Sequence, residues 1–68
     1  MKKSIHTPVA PLLDSLDAAR FLNLKTPATL ANWRTRGQGP AYIKVGGSIR
    51  YRMEDLERWL SQQRVEIK

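Results

Sequence analysis

Apolar residues recur in three short stripes at helical spacing, with one alternating run between the second and third stripes. The first stripe is Leu16, Ala19 and Leu22. Asp14 stands before it as an N-cap, and Asp17 three residues on resembles the partner of a capping box, with Asp in place of Glu. Leu13 is placed to staple onto Ala18, and small Ala18 and Ala19 permit close helix packing. Phe21 reads as partial core. Asn23 tolerates the left-handed backbone that ends a helix, so Asn23-Leu24-Lys25 reads as a tight turn, with Leu24 plugging the core.

The second helix has both ends written into it. Thr26 can act as N-cap, Pro27 suits the first helical position, and Gly37 can close the last turn. At 100° per residue, Leu30 and Trp33 share one face, whereas Ala28, Ala31, Asn32, Thr35 and Arg36 share the other. A solvated face normally carries Glu and Lys. This one is flat, small and ends in a cation, which suits close approach to a surface. After the loop Gln38-Gly39-Pro40-Ala41, strand formers Tyr42–Val45 and Ser48–Tyr51 flank Gly46-Gly47, a hairpin signal. Alternation places Ile43 and Val45 with Ile49 and Tyr51, and Lys44 on the opposite side near Arg50, subject to the register. The third helix is expected from about Met53 to Gln63, with Glu54, Asp55 and Glu57 at its positive end. Leu56, Trp59 and Leu60 form its core stripe, and both Trp33 and Trp59 read as core.

Two short helices joined by a tight turn, followed by a hairpin and a third helix, define an α+β winged helix-turn-helix. The expected organisation is a flexible N-terminal tail over 1–12, the domain over 13–63 and a C-terminal tail over 64–68. At 68 residues the core is modest, worth ~3–5 kcal/mol net.

Charge changes this picture most. The net charge is +6, yet no acid lies between residues 18 and 53. That stretch carries +7, from Arg20, Lys25, Arg34, Arg36, Lys44, Arg50 and Arg52, and the remainder carries −1. A segregated basic field is the footprint of a polyanion binder. The candidate contacts are Thr26, Ala28, Thr29, Asn32, Arg34, Thr35 and Arg36 on the second helix, and Lys44, Gly47, Ser48, Arg50 and Arg52 on the wing. Asn32 can pair bidentately with adenine, worth ~1–3 kcal/mol of discrimination. Thr35 and the methyls of Ala28 and Ala31 suit a thymine methyl. Arg36 suits a phosphate, and Arg34, nearer the core flank, reads as a backbone contact or a surface residue. With about five phosphates neutralised, log K falls against log salt with a slope of ~−4.5.

Other chemistry finds little support. There is no cysteine, and the lone His6 lies in the polar tail, so neither a metal site nor a cofactor is expected. The carboxylates cluster at helix starts and in the C-terminal segment, no acid–base pair is visible, and Gly46-Gly47 lacks the context of a phosphate loop. The expectation is therefore a non-enzyme without catalytic residues. No apolar run spans a membrane and no signal peptide is visible, so a cytoplasmic, nucleoid-associated protein is expected, with no membrane or small-molecule partner.

The pattern Asp17-Ala18-Ala19…Leu22…Leu24…Thr29-Leu30…Trp33, then Gly39-Pro40…Ile43-Lys44-Val45-Gly46…Ile49-Arg50-Tyr51, then Asp55-Leu56…Trp59-Leu60 resembles the excisionase/AlpA-like group of winged helix-turn-helix proteins, related to the DNA-binding domains of MerR-type regulators. The resemblance covers about residues 12–62. It implies double-stranded DNA as partner, with the second helix in the major groove, the wing at the adjacent minor groove, and base-reading positions at Ala28, Asn32 and Thr35, with Thr29 on a phosphate. It further implies an excisionase of a phage or mobile element that bends attachment-site DNA, working with an integrase and with further copies of itself. The alternative within the group is a regulator of integrase or prophage genes. A winged-helix protein-interaction module is a third reading. The chain departs from the group at Ala28, at Ser48 and at Arg52-Met53, and the last departure leaves Arg52 free to reach a phosphate.

Overall fold

A computed structural model describes residues 11–66. The first ten residues, which hold most of the expected N-terminal tail including His6, and the final two lie outside the described residues. The chain order is α1 (Ser15–Phe21), α2 (Ala28–Thr35), β1 (Ile43–Val45), β2 (Ser48–Arg50) and α3 (Met53–Gln62). This is the expected α+β winged helix-turn-helix layout of three helices and a two-stranded antiparallel wing.

Local chemistry sets the helix ends. Asp14 Oδ1 accepts from the Asp17 backbone N–H at 2.8 Å, capping α1. At the other end Asn23 adopts φ 61°. Its N–H donates to the Arg20 carbonyl at 3.1 Å, and the Leu24 N–H donates to the Ala19 carbonyl at 2.8 Å. Helix α2 closes in the same way: Gly37, at φ 69°, donates to Arg34 O at 3.1 Å, and Gln38 donates to Trp33 O at 2.7 Å. Both are Schellman closures, and each points the chain sharply away from its helix. At the start of α2, Pro27 has helical angles (φ −67°, ψ −13°), and Thr26 Oγ1 accepts from the Ala28 N–H at 3.2 Å. The cap and the proline thus act where the sequence placed them.

The core is small. Ala18, Ala19, Leu30, Tyr51 and Leu56 are buried, with Leu13, Leu22, Leu24, Trp33 and Ile49 packed around them. The two alanines let α1 press against its neighbours, so α1 buries its small face. Leu16, expected in the inward stripe, is instead 46% exposed. Phe21 and Leu60, expected as partial core and core, are likewise exposed. Trp33 and Trp59 are half-buried and pack on each other with ring centroids 5.1 Å apart.

The wing differs from its expected register. Ile43 pairs with Arg50, Lys44 with Ile49, and Val45 with Ser48. Cross-strand partners share a face, so Lys44 sits with Ile49, and Ile43 and Val45 sit with Arg50 and Ser48. The expected grouping of Ile43, Val45, Ile49 and Tyr51 is therefore wrong. The reason is the turn: a two-residue loop at Gly46-Gly47, with Gly46 at φ 60°, brings Val45 directly opposite Ser48. The two wing cations consequently face opposite ways. Beyond the wing, Leu13 and Tyr51 exchange backbone hydrogen bonds of 2.8 and 2.7 Å in an isolated antiparallel bridge. This ties the entry of α1 to the exit of the wing, a link with no local signal in the sequence.

Candidate nucleic-acid interface

Helix α2 presents Ala28, Ala31, Asn32, Thr35 and Arg36 to solvent while Leu30 is fully buried beneath them. The outward face expected from the helical wheel is the exposed one. Asn32 makes no side-chain hydrogen bond among the described residues, so its amide retains both donors and its acceptor. Thr35 Oγ1 donates to the Ala31 carbonyl at 3.1 Å, which leaves the methyl as the apolar part of an exposed side chain. Thr29 is half-buried at the flank of α2. Thr26 already uses its hydroxyl as the cap of α2.

Among the described residues, the carboxylates collect particular cations. Arg20 Nη1 lies 4.0 Å from Asp17, and Arg64 lies 3.8 Å from Glu66. Arg52 is bound to Asp55 by two bonds, Nε to Oδ2 at 3.0 Å and Nη2 to Oδ1 at 3.3 Å, with Glu54 a further 3.7 Å contact. The expectation of a free Arg52 is corrected here. Asp55, in the first turn of α3, is only 6% exposed, and buried charges are normally paired. Arg58 Nη1 supplies the second at 3.2 Å. The hydrogen bonds from Arg52 hold the Asp55 carboxyl below the usual carboxylate range against the opposing effect of burial, and the same bond raises Arg52.

Lys25, Arg34, Arg36, Lys44 and Arg50 have no carboxylate partner among the described residues. Arg36 and Lys44 are exposed, as are Gly47 and Ser48 at the wing tip. Arg50 donates to the Ile49 carbonyl at 2.8 Å. Arg34 is turned inward: Nη1 donates to the Tyr51 hydroxyl at 2.6 Å and reaches Ser15 Oγ at 3.5 Å. An open groove of about 400 Å³ between the start of α1 and the wing is lined by Asp14, Ser15, Arg34, Ser48, Ile49 and Arg50, so one acid shares it with the two arginines. Among the described residues, no group of three His, Cys, Asp or Glu side chains is placed to hold a metal ion. In the same residues, no helix is long and apolar enough to cross a membrane.

An exposed, acid-free second helix, closed by a tight turn and flanked by a hairpin, defines a helix-turn-helix DNA-binding domain of the winged kind. Residues 12–64 match the helix-turn-helix domain family. The chain belongs to that family, which includes the excisionase- and AlpA-like proteins. No curated protein matches the chain.

Proposed function

We propose that the chain binds double-stranded DNA sequence-specifically, with α2 in the major groove and the wing against the neighbouring backbone. It acts there as an excisionase, a recombination directionality factor of a phage or mobile element, bending attachment-site DNA in the cytoplasm. The observation that carries this reading is the outward face of α2: exposed, without carboxylates, and holding Asn32 with its hydrogen-bonding groups unspent. Asn32 reads adenine, and the methyls of Ala28, Ala31 and Thr35 meet thymine. Thr29, Arg36, Lys44, Gly47, Ser48 and Arg50 hold phosphates and sugars and so fix the register. One eight-residue helix offers few base contacts. Specific affinity therefore comes from repeated sites, with further copies of the chain and an integrase as partners. The role is binding, not catalysis.

The test is a gel-shift titration at two salt concentrations. The probes are the element's attachment site, the promoter upstream of its integrase gene, and random DNA of equal length. Stepwise, salt-sensitive shifts on the attachment site, lost in Asn32→Ala, are the expected result. Specific shifts only at the promoter would make the chain a regulator of transcription in place of an excision factor. Equal binding to all three would refute base readout by α2, and no binding at low salt would refute the DNA-binding role and favour a protein partner.

A further inference from the structure

Arg34 is half-buried on the flank of α2, yet no carboxylate meets it among the described residues. Its partners are aromatic. Nη1 donates to the Tyr51 hydroxyl at 2.6 Å, and the guanidinium carbon lies 5.7 Å from the centre of the Tyr42 ring. Tyr42 immediately precedes β1 and Tyr51 immediately follows β2. The two rings are 6.2 Å apart. A single guanidinium on the second helix thus grips both stems of the wing at its base, and it touches Ser15 at the start of α1 as well.

The wing needs such a grip. Its strands are three residues each, and a two-stranded ribbon is marginal by itself. Tyr51 is fully buried, so its hydroxyl requires a partner, and an arginine supplies a charge-assisted one. The planar fork of arginine can bond to one tyrosine and lie against the other at the same time, whereas the compact ammonium of lysine cannot.

We infer that Arg34 is a positioning residue for DNA recognition: by clamping Tyr42 and Tyr51 it sets the wing at a fixed distance from α2. Contacts of the wing with phosphates and contacts of α2 with bases then occur in one register only. This rests on the reading of α2 as the groove-entering helix. It departs from the expectation that Arg34 is itself a phosphate contact or an uninvolved surface residue.

The test uses the full chain and two probes, a duplex selected from a random pool by the unmodified protein and a random-sequence duplex of equal length. Tyr51→Phe removes the hydroxyl and keeps the buried ring. Arg34→Met removes the fork and keeps an apolar stem, and Arg34→Lys keeps the charge. Binding is measured at several salt concentrations, at a temperature where circular dichroism shows every variant folded. The expected result is a roughly tenfold loss of preference for the selected duplex in Tyr51→Phe and Arg34→Met, the effect of one charge-assisted hydrogen bond. Arg34→Lys does not restore the preference, and the double variant is no worse than Arg34→Met. The salt slope on random duplex stays the same throughout. A slope reduced by about 0.9 in Arg34→Met, with equal weakening on both duplexes, would make Arg34 a phosphate contact and overturn the inference. So would a Tyr51→Phe protein that melts earlier but keeps its full preference. If Arg34→Met does not fold, Tyr51→Phe still decides the inference: lost preference upholds it and full preference overturns it. Failure of the unmodified protein to prefer any duplex would instead refute base readout by α2, and the positioning role with it.

Discussion

The salt dependence of DNA binding can be worked from the structure. Seven cations lie in the acid-free stretch over 18–53. Arg52 is held by Asp55 at 3.0 and 3.3 Å, Arg20 lies beside Asp17, and Arg34 is engaged by Tyr51. Lys25, Arg36, Lys44 and Arg50 remain, and of these Arg36, Lys44 and Arg50 are the proposed phosphate contacts. Each phosphate neutralised on duplex DNA adds about 0.9 to the slope of log K against log salt, so three give ~−2.7. A rise from 50 to 200 mM salt then weakens binding about 40-fold. Counting five phosphates from sequence gives a loss of about 500-fold instead. Variants sharpen the comparison. Lys44→Ala and Arg36→Ala should each flatten the slope by about 0.9, and Arg52→Gln should leave it unchanged. Fluorescence anisotropy on a random-sequence duplex, at five salt concentrations, measures all of these. Lys2 and Lys3 are present in every variant and cancel in the differences. A slope change in Arg52→Gln as large as that in Lys44→Ala would show that the Asp55 pair opens on DNA, and the counting of committed cations would be refuted.

Stability gives three further expectations. Gly39 has φ +87°, and a Cβ there would lie 2.9 Å from Trp33 Cε3. Gly39→Ala should therefore cost about 2–5 kcal/mol, a backbone penalty of ~1–2 and an overpacking penalty of ~1–3. Gly37→Ala, at φ +69° with open space around it, should show the backbone part alone; urea denaturation followed by circular dichroism separates the two. Asp55 is held below the usual carboxylate range by Arg52, so the unfolded chain binds the proton more readily than the folded one. The contribution of Asp55 is complete above its ordinary value of about 3.9 and is lost as pH falls through the lower folded value. Urea midpoints from pH 5 to pH 3 should fall further in the unmodified protein than in Asp55→Asn, which should cost about 1–2 kcal/mol at pH 7 because its arginine partners are largely exposed. Asp14→Ala deletes the 2.8 Å cap of α1 and should cost about 1 kcal/mol by the same measurement.

Features were legible in the sequence where a few neighbouring residues determine them. Asn23 and Gly37 announce their helix ends because few other residue types tolerate the left-handed backbone there, and both adopt it. The outward face of α2 follows from helical geometry together with Leu30, which is fully buried. Features that depend on distant partners were not legible. Leu16 has the spacing of a core residue, but Ala18 and Ala19 offer closer contact and take that role. Arg52 looks free in sequence because the Asp55 that binds it reads as a dipole-compensating acid. The wing register lies between these cases. Gly46-Gly47 is a two-residue hairpin signal, and such a loop places Val45 opposite Ser48. Strict alternation carried across the turn, without counting the loop, puts Lys44 on the wrong face. That error matters for the proposed function, because Lys44 and Arg50 stand on opposite faces of the wing. On the proposed reading the wing therefore stands edge-on at the DNA backbone, with one cation turned to each side. In that placement the separation between α2 and the wing decides whether both are in contact at once, and a half-buried arginine joined to both stems of the wing has the geometry to hold it.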